Sequence, residues 1–403
     1  MDITITGMGA VTPLGGSVDE SWRRLCAGES GVRDIADALD EPSALPVTIG
    51  APMAVDPADS LDRITARRLD RVQQAALVAS TQAWEDAGKP DVDPTRLAVV
   101  LATGVGGIST IVHQQSVLDR AGARRVSPRT VPMLMANAGA AQVSIAYQAR
   151  AGAYTPVSAC SSGGEAFVAG ARLLALDEAD IVIVGGADAA LTPLTVAAFA
   201  NSGALCTRYR SPDQASRPFD RDRAGFVLGE GAAVAVLERT ESAQARGRRG
   251  YARLAGYAVT SDAYHITAPD PSGAEQARAM VTAVRRAGLS TADIGHVNCH
   301  ATSTEIGDVI EARSIRSAIG DHPVLSAPKA SLGHLVGAAG AVEAVIAALS
   351  VAEERIPPTI NLTRPDPEIG LEIATTTRPL HGAVLSNSFA FGGQNVALVF
   401  TPV

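Results

Sequence analysis

The sequence predicts an α/β protein of parallel strands joined by crossover helices, and three observations support this. Short β-branched runs alternate with Ala/Leu-rich segments of helical period. The 403 residues are 46% hydrophobic, enough for one large or two medium domains with a proper core. A polar, glycine-bearing run from Glu241 to Gly250 divides the chain into halves, 1–240 and 241–403. Each half holds its own strand–helix alternation, which fits an internal duplication.

The strand candidates, in order, are Ile3–Thr6, Leu97–Leu101, Ile181–Val184, Val297–Cys299 and Val396–Phe400. The middle ones run into small, glycine-bearing or Ser/Thr-bearing sequence. In open α/β sheets ligands gather at the carboxyl ends of strands, so those junctions are where chemistry is expected. Helices bridge successive strands.

Charge and composition exclude several classes. With 34 basic and 42 acidic residues the net charge is −8, which argues against sequence-independent nucleic-acid binding. Four cysteines (Cys26, Cys160, Cys206, Cys299) make no disulfide framework, and no C-x-x-C pair suggests zinc. The N-terminus lacks a positive segment, and no run of roughly twenty apolar residues could span a bilayer. A soluble cytoplasmic protein is expected. Only Lys89 and Lys329 are lysines, and every other basic residue is arginine. A compact ammonium fits a small buried site that a guanidinium cannot, so Lys329 is expected in a buried ion pair; Lys89 lies in an ordinary Gly-Lys-Pro turn.

The sharpest local feature is Ser158-Ala-Cys160-Ser-Ser-Gly-Gly-Glu165, followed by an apolar-periodic segment. A helix beginning at the thiol would lower its pKa through unpaired N–H groups and the helix dipole. Cys160 is therefore a nucleophile candidate, with an inert buried cysteine as the alternative. Histidine is the usual partner. His300 opens His300-Ala-Thr-Ser-Thr304 after a strand, and His334 lies in Lys329-Ala-Ser-Leu-Gly-His334, where a small-residue helical pattern begins. His265 is a further pocket-lining candidate.

Together with Ser386-Asn-Ser-Phe-Ala-Phe-Gly-Gly393, these motifs resemble those of the elongating β-ketoacyl-acyl carrier protein synthases, the KAS I/II branch of the condensing enzymes. The resemblance runs from the first strand, with a Gly7-Met-Gly-Ala-Val-Thr-Pro-Leu-Gly15 turn, to the last. It implies a thiolase-like fold, a five-layered α-β-α-β-α core from two similar halves. It also implies an acyltransferase in which Cys160 takes an acyl chain as a thioester and malonyl-acyl carrier protein loses carbon dioxide. The carbanion then attacks the acyl-cysteine. By resemblance, His300 and His334 stabilise the enolate by donating Nε2–H, and Lys329 orders the site with Glu343 as its neighbour. The backbone N–H groups of Cys160 and Phe391 match the oxyanion hole, with Phe391 also as a gate. Thr302 and Thr304 match pantetheine-binding positions, and Phe389, Ile108 and Ile111 match substrate-binding ones. Val105, Met133, Leu134 and Met135 lie on segments that match the wall of the acyl tunnel.

The Cys-His-His set fits the elongating branch; the initiating branch uses Cys-His-Asn, and chain-length-factor subunits lack the cysteine. The resemblance implies no required metal or cofactor, substrates arriving on the phosphopantetheine of acyl carrier protein. A structural monovalent cation near Asn298, Glu343 and Asn387 belongs to the same picture. Arg63, Arg67 and Arg71 recur at i, i+4, i+8 with Arg68 beside them, a pattern for one helix face that an acidic carrier protein could dock on or that water could simply solvate. Arg124, Arg125 and Arg208 match further docking positions. Four departures stand out: Ala390 and Ala301 for glycine, Glu305 for proline and Gln394 for threonine. The expectation is a homodimeric synthase of fatty-acid-like elongation. The alternatives are the ketosynthase subunit of a type II polyketide synthase paired with a chain-length factor, or a non-catalytic partner that shapes another subunit's tunnel.

Overall fold

A computed structural model describes residues 2–39 and 45–403. Its core elements are β1 (Ile3–Val11), α1 (Arg71–Asp86), β2 (Leu97–Ala102), α2 (Ile108–Ala121), α3 (Ala138–Tyr147), β3 (Ala153–Tyr154), α4 (Ser162–Ala175), β4 (Ile181–Asp188) and β5 (Gly231–Arg239). There follow β6 (Ala252–Ser261), α5 (Ala274–Arg286), β7 (Ile294–Asn298), α6 (Glu305–Ala318), β8 (Val324–Ser326), α7 (Ala339–Ala352), β9 (Ala383–Ala390) and β10 (Gln394–Thr401). The strands lie in the order β8-β7-β9-β10-β6-β1-β5-β4-β2-β3. The order β3-β2-β4-β5-β1 thus reappears as β8-β7-β9-β10-β6, every strand advanced by five, and a short β1–β6 pairing joins the two sets.

The sheet is mixed, which corrects the expectation of parallel strands. β2 runs parallel to β3 and β4, and β7 to β8 and β9, but β1, β5, β6 and β10 pair antiparallel with their neighbours. For β9 and β10 the reason is local, since the three residues Phe391–Gly393 are too few for a crossover. Gly392 and Gly393 supply the left-handed turn, with φ of +81° and +70°.

Alternate residues of the strands face different layers. In β2 and β4, Leu97, Val99, Leu101, Ile181 and Ile183 pack outward on α1, while Ala98, Val100, Val182 and Val184 face α4 and α7. In the second half Val297, Leu385 and Val399 pack on α5 and α6. The thiolase-like layering follows: helices outside each half-sheet, and α4 with α7 sandwiched between. Every residue of α7 from Ala339 to Val351 is buried, and its one charged side chain there is Glu343.

The Gly7–Gly15 segment turns only at its end, where the Thr12 and Gly15 backbones pair; Gly7 and Gly9 have a different use. β1 runs straight through Gly7 and Gly9 to Val11, because α1 lies directly on them: a Cβ there would meet Ala83 O at 2.3 Å and Ala79 O at 2.0 Å. The arginine pattern is also corrected. Asp62 caps a short helix Arg63–Ala66, and Asp70 starts α1 afresh with a capping box to Gln73, so Arg63 and Arg71 share no helix face. No helix among the described residues is long and apolar enough to cross a membrane.

Candidate active site

Cys160 sits in a single 3₁₀ turn, Ala159–Ser161, that leads into α4. The preceding Ala159 is held at φ +49°, a left-handed conformation uncommon for a residue with a Cβ. The serines around the thiol account for it. Ser161 Oγ lies 2.9 Å from both Ser388 O and Gln394 O, pinning the turn to β9 and β10, while Ser162 Oγ donates to Ala159 O and accepts from Ser158 N–H.

Two other segments converge on the sulfur. His334 Nε2 lies 3.0 Å from Cys160 Sγ, and the ligand atoms of Cys160, His300 and His334 all lie within 4.8 Å of one another. The two imidazoles meet edge to face, with centroids 5.5 Å apart. Behind His300, Lys329 Nζ lies 3.3 Å from Nδ1 and pairs with Glu343, both members of the ion pair being buried. The task expected of the second lysine, a buried pair with Glu343, is present.

This geometry assigns one tautomer. An ammonium only donates, so His300 Nδ1 accepts and the neutral ring carries its proton on Nε2, toward the sulfur. Burial and the Lys329 charge hold both histidines well below the ordinary imidazole pKa, so both are neutral at pH 7. His334 Nδ1 is buried without a hydrogen-bond partner among the described residues.

The thiol does not behave as expected from a helix start. Burial pushes the Cys160 pKa up to about 11, against the opposing influence of the Lys329 charge and the backbone N–H groups of Phe391 and Cys160. Desolvation of the thiolate outweighs the dipole and the hydrogen bonds. The resting nucleophile is a thiol, and its proton must leave as it attacks.

Several residues invisible to motif reading build the site. Buried Glu311 accepts from the N–H groups of His300 (2.8 Å) and Ala301 (2.6 Å), fixing the turn that presents His300. Buried Arg223 donates to the carbonyls of Thr304 (3.0 Å) and Glu305 (2.6 Å) and pairs with Asp366, so it braces the threonine loop. Thr302 and Thr304 are half-buried there, with hydroxyls 3.1 Å apart. The threonines stand in a local motif; the long-range bracing leaves no local signal.

The remaining candidates separate. Phe389 is buried, its ring 6.2 Å from that of His300, whereas Phe391 is 37% exposed. Gly392 N–H donates to Ile266 O, tying the Phe391 turn to the loop 262–268. His265 is exposed and caps its own turn, its Nδ1 accepting from Thr267 and Ala268 N–H. Ile108 packs with the cluster around Val336 and Phe226, and the Phe226 ring edges onto His334. Ile111, Val105 and Met135 are exposed, and Met133 and Leu134 half-buried. Arg63, Arg67, Arg68, Arg124 and Arg125 are exposed. Arg71 is engaged with Glu230 (3.0 Å) and Asp56 (3.1 Å), which removes it from any free patch, and exposed Arg208 pairs with Glu305 at 3.4 Å.

Three buried oxygens beside the ion pair have no hydrogen-bond partner among the described residues: Asn298 Oδ1, Asn387 Oδ1 and Glu343 Oε2. Asn298 Nδ2 reaches Glu343 O and Ser386 Oγ, which places Asn298 beside Glu343 and beside the residue before Asn387. An all-oxygen set with one carboxylate suits a hard monovalent cation, and the residues fit such an ion.

Comparison with known proteins gives the family. Residues 1–243 match the model of the β-ketoacyl synthase N-terminal domain and residues 251–363 that of its C-terminal domain. The chain is 42% identical over 402 residues to the 3-oxoacyl-[acyl-carrier-protein] synthase 2 of Mycobacterium bovis, covering 99% of this chain and 96% of that one. It is 40% identical over 407 residues to the protein of the same name from Synechocystis, covering 99% and 97%. Among solved structures, a β-ketoacyl synthase from Burkholderia phymatum superposes with a TM-score of 0.91 at 35% identity, over 100% of this chain and 99% of that one. A type II polyketide synthase acyl-carrier protein in complex with its ketosynthase, bound to the hexaketide, gives the same TM-score and coverage at 27% identity. The chain belongs to the β-ketoacyl synthase family and is a condensing acyltransferase of the 3-oxoacyl synthase type.

Proposed function

We propose that the chain elongates acyl chains by decarboxylative Claisen condensation, with the acyl group on Cys160 and the malonyl group on the phosphopantetheine of an acyl carrier protein. The observation that carries this is the chain of contacts Cys160–His334, His300–Lys329 and Lys329–Glu343. In loading, Cys160 Sγ, accepting from His334 Nε2–H, attacks the incoming thioester, and the thiol proton goes to the departing pantetheine thiolate. In the second step the malonyl carboxylate leaves as carbon dioxide and the thioester becomes an enolate. His300, its Nε2–H fixed by Lys329, donates to that oxygen, and His334 donates beside it. In the third, the enolate carbon attacks the acyl-cysteine carbonyl, whose oxyanion takes the N–H groups of Cys160 and Phe391. Collapse expels the Cys160 thiolate, which takes up a proton from solvent, and leaves the β-ketoacyl chain on the carrier.

Thr302 and Thr304 hold the pantetheine arm, Phe389 packs behind His300, and Phe391 gates the approach, with Ile108 and Ile111 on the acyl side. The steps call on no metal or redox cofactor; a monovalent cation at Asn298, Glu343 and Asn387 would steady the Lys329 pair. The exposed arginines Arg63, Arg67, Arg68, Arg124 and Arg125 suit an acidic carrier, with Arg208 tempered by Glu305. We read the protein as cytosolic, its four cysteines free. It is expected to form a homodimer through the apolar surface around Val131, Ile145, Tyr154 and Val157, where β3 is an open sheet edge. A polyketide ketosynthase paired with a chain-length factor is the second reading, favoured by the structural likeness at 27% identity; the full-length relatives at 40–42% favour fatty-acid elongation. Intact-mass analysis tests the proposal. Wild-type protein should gain an acyl mass from acyl carrier protein and Cys160→Ala should not; chain extension by Cys160→Ala overturns the mechanism.

A further inference from the structure

Asp188 ends β4 with its side chain fully buried, and the steps above make no use of it. Its carboxylate is saturated. Oδ1 accepts from Thr103 Oγ1 (2.7 Å) and Val105 N–H (3.4 Å), and Oδ2 from Gly104 N–H (2.7 Å) and Gly337 N–H (2.6 Å). One side chain thus ties together two loops that are far apart in sequence. The first, Thr103–Gly107, leads into α2 and Ile108; the second carries His334 and leads into α7.

The loops touch through glycine. A Cβ on Gly337 would lie 2.2 Å from Gly104 N, and one on Gly104 would lie 2.6 Å from Val336 Cγ1. Val336, between His334 and the anchored Gly337, is β-branched yet held at φ +49°. Such a conformation costs on the order of 1–3 kcal/mol and persists only where its surroundings enforce it. The His334 ring lacks a partner on Nδ1, so beyond its edge contacts with Phe226 and His300 its aim depends on its backbone. That backbone is held on one side by His334 N–H to Val227 O (2.7 Å) and Gly229 N–H to His334 O (2.9 Å), and on the other by Asp188.

We propose that Asp188 is a positioning residue for the condensation: by locking the His334 loop to the Thr103–Gly107 loop it keeps His334 Nε2 on the Cys160 sulfur. The role given to His334 rests on the reading above, whereas its placement beside the thiol does not. Asp188 also acts on the thiol through its charge, contributing to the raised Cys160 pKa, while burial lifts its own pKa to about 6.

The test is Asp188→Asn, which keeps the shape but replaces one acceptor oxygen with a donor that faces N–H groups. A misplacement of about 1 Å at a reacting group can cost roughly 100-fold in rate, so kcat should fall about 10- to 100-fold with KM for the malonyl carrier nearly unchanged. The pH profile of Cys160 alkylation by iodoacetamide should move to lower pH, because a negative charge has left; a merely structural role would not move it that way. Thr103→Val, which removes the hydroxyl's bond to Asp188 and its acceptance from Gly106 N–H but leaves the three backbone N–H bonds to the carboxylate, should show a smaller fall in kcat and decides the matter if Asp188→Asn does not fold. Folded variants with wild-type kcat and an unmoved alkylation profile overturn the proposal. Alkylation needs no carrier protein, so a failure of the condensation reading leaves this arm intact.

Discussion

Replacing Lys329 with methionine removes a buried charge while keeping most of the stem. In the wild type, burial lifts the Glu343 carboxyl to about 7 even though the Lys329 charge and hydrogen bond pull it down. Without the lysine both opposing influences vanish, and Glu343 stays protonated to a pH above 7. Beside Lys329 the wild-type carboxyl ionises at a lower pH than in the variant, which holds its proton to higher pH. The folded variant then binds more protons than its unfolded chain, so its stability falls as pH rises toward its own raised pKa. The penalty relative to wild type should grow by about 1.4 kcal/mol per pH unit over the range in which only the wild-type carboxyl is ionised, toward the 3–5 kcal/mol typical of breaking a buried pair. The chemistry should suffer as well, since His300 loses the donor that fixes its tautomer and Cys160 the nearby positive charge. Loss of one oriented donor predicts a fall in malonyl decarboxylation of about 10²–10³-fold. Urea unfolding at pH 7, 8 and 9 and carbon dioxide release measure the two effects. A penalty independent of pH, with decarboxylation intact, would refute the reasoning.

Four other outcomes follow from the same structure. Lys329→Arg should impair condensation, because a guanidinium overfills a site closed on all sides; a fully active variant in a carrier-based assay returns the rarity of lysine to coincidence. Cys160→Gln should decarboxylate malonyl carrier protein without condensing it, and His300→Ala should abolish that release; survival of decarboxylation in the histidine variant removes His300 from the mechanism. His296 is buried with Nδ1 2.7 Å from Val324 O, and burial pushes its pKa down to about 4. It stays neutral when folded but charges when unfolded, so wild type should lose stability relative to His296→Gln as pH falls from 6.5 to 4, by about 3 kcal/mol in all; parallel unfolding curves would contradict this. Reversing Arg67 and Arg124 to glutamate should raise KM for carrier protein, most at low salt, and leave kcat alone; an unchanged KM at low ionic strength would place docking elsewhere.

The nucleophile, both histidines and Lys329 were legible because each stands in a dense local motif whose residue types have few other uses. The strands were legible as cores but short at their ends. Val297–Cys299 was displaced to Ile294–Asn298, and β1 ran past its glycines, because periodicity does not report a helix pressed against the backbone at Gly7 and Gly9. The arginine pattern misled for a related reason. Spacing of four suggests one helix, but two aspartate caps divide it.

What the sequence determined by itself is the inventory of chemistry: a thiol, two imidazoles and one scarce lysine, each next to a strand end or a helix start. Only the tertiary structure decided how these groups titrate and which way they face. Burial left the thiol at about 11 where a helix start suggested less, and Lys329, Glu311, Arg223 and Asp188 set the site's orientation from distant parts of the chain. Desolvation and long-range hydrogen bonds depend on what surrounds a group in space, and a local motif carries no record of that.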